Sequence, residues 1–251
     1  MEYPQKSMAA AILERINTLR RTKLFRHAGD SELAEISRLV TVHRLRRDEP
    51  LVFEGEEARE LFVLVQGSLR LYREAADGRE QVISIEYPVS TVNEVHLFDS
   101  GPHAFSISAC EEALVWSLPI TCCRQKLADL PQLAWNGLEL MARRLRNAIE
   151  LVHSLSLLGV DQRLARFLLE EAQQRGRRQA DGWHVELTMS NQQIGAVVGA
   201  VREVVSRSMS KLQRQRLILF HNRTVIIPDE ELLWRFACSK REIPELTVAA
   251  G

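Results

Sequence analysis

The spacing of hydrophobic residues changes character several times along the chain. Met8-Ala-Ala-Ala-Ile-Leu-Glu-Arg-Ile16 belongs to a leader, ending near Thr22, that reads as helical or loosely ordered. Leu33, Ile36 and Leu39-Val40 then share one helical face, with Ser31 placed to cap its start. From Val42 to about Leu118 the pattern shortens to apolar runs of strand length: Leu51–Phe53, Leu61–Val65, Leu69–Tyr72, Val82–Ile85 and Leu114–Trp116. Glu54-Gly55-Glu56, Gln66-Gly67-Ser68, Asp77-Gly78 and Ser100-Gly101-Pro102 separate them. Short strands at roughly 8–12-residue spacing predict a compact antiparallel barrel or sandwich. Asp77-Gly78 predicts a tight primed hairpin turn, because glycine accepts the positive φ such a turn requires.

After Pro131 the period becomes helical and stays so to Leu158. Leu138, Met141, Leu145, Ala148, Val152 and Leu155 form a heptad seam, and Glu139, Arg143, Arg144, Arg146 and Glu150 fall off it. Ile149, Leu151 and Leu158 make a second apolar face. Two faces predict a helix packed on its own barrel and on a parallel copy of itself. Gly159 interrupts, and Asp161 is placed to cap a further helix that turns Leu164, Phe167, Leu168 and Ala172 inward. Arg175 to Gly182 reads as a polar, basic loop.

Ser190 followed by Gln193 is a capping box that opens a short helix with Ile194, Val197 and Val198 inward. Gly199 supplies a sharp turn, and a second helix follows with Val204, Val205, Met209 and Leu212 toward the core. That places Arg202, Glu203, Ser206, Arg207 and Ser210 outward. Arginine can fork to guanine O6 and N7, and glutamate can accept from the cytosine amine, so this face can read base-pair edges. Ser190, Asn191, Gln192, Lys211, Arg214 and Arg216 are the candidate phosphate ligands. Leu217–Phe220, Asn222-Arg223 and Val225–Ile227 predict a small hairpin wing.

Composition narrows the function. The 251 residues carry 33 Lys+Arg against 33 Asp+Glu, but Val160–Pro228 has eleven basic residues to six acidic ones. A basic module on an acidic body points to a polyanion partner for one part only. No apolar stretch approaches the ~18 residues of a membrane span, and the start lacks a secretory pattern, so no membrane partner and a cytoplasmic location are expected. Cys110, the adjacent pair Cys122-Cys123, and Cys238 do not form a disulfide framework, a zinc site or an N-terminal iron–sulfur ligand set. His27, His43, His96, His103, His153, His184 and His221 show no metal-ligand spacing, so no metal is expected. No nucleophile–base pair or phosphate loop stands out, and no enzyme is expected.

The order barrel, long helix, winged helix-turn-helix resembles the CRP/FNR superfamily of bacterial transcription regulators over roughly Leu24 to Pro228. The residues that carry the resemblance are Phe53-Glu-Gly-Glu56, Val65-Gln-Gly-Ser-Leu69, Asn93-Glu-Val-His-Leu-Phe98, Val160-Asp-Gln-Arg-Leu-Ala165, and Ile194-Gly195 with Gly199, Arg202-Glu203 and Ser206-Arg207. The resemblance implies an α+β fold. Its parts are a leader at 1–22, an antiparallel β-roll sensor at 23–130, a dimerisation helix at 131–158, a winged helix-turn-helix at 159–228, and a C-terminal helix with a mobile tail at 229–251. It also implies a homodimer on double-stranded DNA, contacting RNA polymerase if it activates. Glu203 and Arg207 would contact a G·C pair in each half-site. Ser206 is similar to the fumarate–nitrate branch and implies a TTGA–N6–TCAA-like palindrome, while Arg202 is similar to the cyclic-AMP branch and leaves the outer base open. Val201 departs from the usual Ser or Thr cap. A second class of reading keeps the helix-turn-helix as a protein-docking surface.

Against the family's nucleotide pattern the barrel is nearly stripped. Val89-Ser-Thr-Val-Asn93 lacks glycine, Ala104-Phe105 stands where an Arg-Ser pair holds the cyclic phosphate, and Ala148-Ile149 replaces the adenine-reading Thr-Ser. Only Glu94, the ribose acid, remains, so cyclic AMP is not expected. Glu94, His96, His103, Phe105, Ala148 and Ile149 are left as an apolar effector pocket. Haem, another small effector, redox control through Cys110 or Cys122-Cys123, and no effector at all remain open; His96 is offset by one from the haem-ligand position of carbon-monoxide sensors. Leu158-Gly159-Val160 is the expected hinge.

Overall fold

The computed structural model describes residues 8–221 and 224–238. Asn222, Arg223 and the tail from Ser239 lie outside the described residues. The chain folds as two compact units: residues up to 73 with 83–149, and 74–82 with everything from 150 onward.

The first unit begins with α1 (Met8–Arg21) and α2 (Asp30–Arg38), followed by eight strands: β1 (Thr41–Leu45), β2 (Pro50–Val52), β3 (Glu60–Gln66), β4 (Leu69–Glu74), β5 (Glu80–Glu86), β6 (Ser90–Val92), β7 (Ser106–Ala109) and β8 (Ala113–Pro119). A single 3-10 turn, Glu94–Leu97, lies between β6 and β7, and α3 (Ile120–Asp129) and α4 (Pro131–Leu157) follow; β5 and α4 each have one end in the second unit. The strands form two antiparallel sheets, ordered β1-β8-β3-β6 and β2-β7-β4-β5. Alternation along β3 explains the layering. Phe62 and Leu64 join Leu69, Leu71, Ile107 and Val115 between the sheets. Leu61 and Val63 face the other way, against Leu19, Leu33, Ile36 and Leu133 of the helices and Phe25 of the turn between α1 and α2. A strand with period-two burial on both faces reads in sequence as one unbroken apolar run.

Of the two readings of the leader the helical one holds, since α1 ends at Arg21 with Leu19 fully buried in the helical layer. Several expectations are corrected here. Gly29, not Ser31, caps α2; the Ser31 hydroxyl bonds to Glu32 instead. The hairpin at Gly78 is not a two-residue primed turn. Gly78 N–H donates to Ala75 O, Ala75 N–H donates to Arg79 O, and only Gly78 has positive φ. That is a three-residue loop in which glycine takes the bulge position.

The second unit contains α5 (Val160–Arg175), β9 (Arg177–Gln179), β10 (Gly182–Glu186), α6 (Asn191–Val198), α7 (Arg202–Arg214), β11 (Leu219–His221), β12 (Thr224–Ile227) and α8 (Glu230–Cys238). Its sheet runs β11-β12-β10-β9, so the expected basic loop at 175–182 includes a strand that pairs in register, Arg178 opposite Trp183. Leu164, Phe167, Leu168 and Ala172 of α5 are buried as expected. Gly159 caps α5, and Asp161 sits inside its first turn. Among the described residues no helix is long and apolar enough to cross a membrane.

Candidate functional site

The helix-turn-helix is built as its residue types require. The Ser190 hydroxyl accepts from Gln193 N–H at 3.3 Å, and Gln193 Oε1 accepts from Ser190 N–H at 2.9 Å, which fixes the start of α6. Gly199 ends it with φ +65, and a Cβ there would fall 2.7 Å from Leu155 Cδ2. Val201 precedes α7 with no side-chain cap, as its residue type dictates. Val205, Ser208, Met209 and Leu212 are buried and anchor α7. The opposite side leaves Arg202, Glu203, Ser206, Arg207, Ser210 and Arg214 exposed. Among the described residues, the side chains of Arg202, Glu203 and Arg207 form no ion pair within the chain.

The candidate phosphate ligands divide. Ser190, Gln192, Arg214 and Arg216 are exposed, with Asn191 half-buried beside them. Lys211 is different. Its Nζ lies 2.8 Å from Asp161 Oδ2, with both side chains about three-quarters buried. Burial pushes the Asp161 carboxyl up, but its hydrogen bonds to Lys211 and Ser208 outweigh this and hold it below the usual range. Lys211 therefore ties α7 to α5 and is withdrawn from the phosphate set.

The expected effector residues do not form one pocket. Glu94 is buried, and its Oε1 accepts from the Thr91 hydroxyl at 2.5 Å. Arg144 of α4 reaches the same carboxylate at 3.4 Å and also pairs with Glu86. Burial pushes the Glu94 carboxyl up. Burial also lowers Arg144, but Glu94 and Glu86 reverse this and keep it charged. The lining is thus charged and internally paired, not apolar. Arg144, Glu86 and Thr91 were missed because an arginine off a heptad seam reads as a solvated charge. Ala148 and Ile149 lie on an exposed stretch of α4, and Phe105 is half-buried against the core between the sheets.

His96 and His103 meet elsewhere. They are 2% and 3% exposed, with ring centroids 5.2 Å apart and planes at 81°. Burial holds both imidazoles below their ordinary range.

Trp135, Leu138, Leu145, Ile149 and Val152 form an exposed apolar stripe along α4, with Ala142 on the same stripe and the exposed Leu157 at the helix end. The expected seam shared Leu138, Leu145 and Val152 with this stripe. Of the other expected members, Met141 packs on its own helical layer, Leu155 approaches Gly199, and Ala148 is exposed beside the stripe.

Comparison with known proteins agrees with this architecture. The cyclic nucleotide-binding domain family matches residues 42–129, and the Crp-like helix-turn-helix domain family matches residues 162–236. The chain belongs to the CRP/FNR superfamily. One relative in this superfamily is the CRP-like cAMP-activated global transcriptional regulator of Mycobacterium tuberculosis (strain ATCC 25618 / H37Rv). It is 28% identical over 219 residues, covering 87% of this chain and 98% of that protein. FixK2 from Bradyrhizobium japonicum superposes with a TM-score of 0.69 at 26% identity, over 77% of this chain and 95% of FixK2. A CooA mutant from Carboxydothermus hydrogenoformans shares the fold with a TM-score of 0.71 at 18% identity, over 89% of this chain and 99% of CooA. The CRP-like relatives are transcriptional regulators with this helix-turn-helix class.

Proposed function

We propose that the protein is a sequence-specific DNA-binding transcription regulator that acts as a homodimer on a TTGA–N6–TCAA-like palindrome. The observation that carries this reading is the exposed, unpaired set Arg202, Glu203, Ser206 and Arg207 on one side of α7. Each lies near the N-terminal half of a helix whose far side is locked by Val205, Met209 and Leu212. Arg207 forks to guanine and Glu203 accepts from the paired cytosine. Ser190, Asn191, Gln192, Arg214 and Arg216 hold the flanking phosphates. The stripe Trp135–Val152 on α4 meets its copy in a second chain, and an activator of this build also contacts RNA polymerase.

Regulation does not run through cyclic AMP in this reading. Phe105 stands at a phosphate-ligand position and packs against the core, and the remaining acid, Glu94, is already engaged by Arg144. Catalysis is not part of the reading either. The chain does hold a His–Ser–Glu contact, with His43 Nε2 2.9 Å from Ser117 Oγ and that oxygen 2.8 Å from Glu60 Oε1. Ser117 is 1% exposed in mid-sheet and its proton is directed to Glu60, so His43 has no proton to remove.

A mobility-shift titration on the palindrome tests the proposal. Arg207→Ala or Glu203→Ala should lose about 1–3 kcal/mol per half-site and flatten discrimination at the G·C pair. Equal binding of the wild type to scrambled DNA would contradict the reading, and weak salt dependence would favour a protein-docking surface.

A further inference from the structure

His96 and His103 are separated by seven positions in sequence and belong to different segments. His96 is in the 3-10 turn, and His103 is in the loop before β7, where its backbone exchanges hydrogen bonds with Gly55 and Glu56. Both rings are almost wholly buried. Among the described residues, His96 Nδ1, His96 Nε2 and His103 Nδ1 have no hydrogen-bond partner. A neutral imidazole carries one donor and one acceptor, and buried polar atoms are almost always matched. Three orphaned nitrogens on two touching rings mark a site built for something the polypeptide does not supply.

We propose that His96 and His103 together bind a divalent first-row transition-metal ion of the zinc type. Neutral imidazole is the nitrogen ligand such ions favour. The spacing agrees. With the ion about 2.0–2.1 Å from each nitrogen, two imidazoles at adjacent tetrahedral positions put their centroids about 5 Å apart. The observed separation is 5.2 Å. Charges from neighbouring elements act on the pair: Asp99 on His96 and Glu56 on His103 favour a cation. Arg124 of α3 opposes it, but its guanidinium is engaged by His96 O, Asp99 O and Ser100 Oγ. Among the described residues no cluster of three or more His, Cys, Asp or Glu side chains forms, so water or a small ligand completes the shell. His96 shares its turn with Glu94, which holds Arg144, so an ion here braces the segment that anchors α4.

The test uses full-length protein stripped with a chelator and titrated with Co2+ as an optical probe, with Zn2+ as competitor. The expected result is one ion per chain, displaced by Zn2+. His96→Phe and His103→Phe, which keep a ring but remove its nitrogens, should each weaken uptake at least tenfold, while surface His153→Gln leaves it unchanged. X-ray absorption of the zinc-loaded wild type should count two imidazoles and needs no variant. Uptake by the wild type no greater than by the double Phe variant, or a bound ion with no imidazole in its shell, overturns the proposal. No DNA enters either measurement, so its failure leaves the DNA-binding reading standing.

Discussion

Arg216 follows α7 in a conformation that glycine adopts more readily. Its φ is +56, and the chain reverses through paired bonds, Leu217 N–H to Leu212 O and Arg216 N–H to Gln213 O. In the proposed DNA-bound state, the guanidinium of Arg216 holds a backbone phosphate, which is the use that offsets this left-handed position. Arg216→Gly should therefore raise stability by about 0.5–1 kcal/mol in urea unfolding, the left-handed penalty less the added freedom of the unfolded chain. The same change should weaken binding to all DNA sequences alike and reduce the salt slope by about one per chain. Asp161 carries a second prediction. Its depressed carboxyl means the tie to Lys211 stabilises the fold above the ordinary carboxylate pKa and is lost as pH falls through the folded value. Asp161→Asn should cost on the order of 1 kcal/mol near neutrality. In thermal unfolding across pH, the gap to wild type should begin to narrow near the ordinary carboxylate pKa of about 4 and close only below the depressed folded value. From sequence, Asp161 looked like a cap and Lys211 like a phosphate ligand. An acid at a helix start and a base on a polar face each have two uses, and only the packing of α5 on α7 selects between them.

Among the elements, α4 carries the most consequence. Its two apolar faces were legible, but their register was not, because 3-4 spacing fits both Leu138–Met141–Leu145 and Leu138–Ala142–Leu145. The structure decides by packing the partly buried Met141 against its own helical layer and leaving Ile149 58% exposed. Arg144 lies between the faces and reaches the buried Glu94 and the partly buried Glu86. Arg144→Met should destabilise the protein by about 3–5 kcal/mol by stranding buried negative charge. Adding Glu94→Gln should recover part of that loss in a double-mutant cycle read by denaturant unfolding. The sheets and the helix-turn-helix were easier to read, since alternation along β3 and the Ser190–Gln193 box are local signals. The 3-10 turn and the loop at His103 have no period, so nothing in the sequence brought the two histidines together.

At the scale of the whole molecule, each chain of the proposed homodimer contributes the exposed polar face of α7 and the exposed apolar stripe of α4. Four-base half-sites around a six-base spacer put their centres ten base pairs apart, about one helical turn, the separation over which a rigid dimer places two helices in successive major grooves. Affinity measured across palindromes with spacers shortened and lengthened one base at a time tests this geometry most directly. The account predicts a sharp maximum at six bases and a loss of at least tenfold two bases to either side. Equal affinity at every spacer, or a lone half-site bound as tightly as the full palindrome, would contradict it.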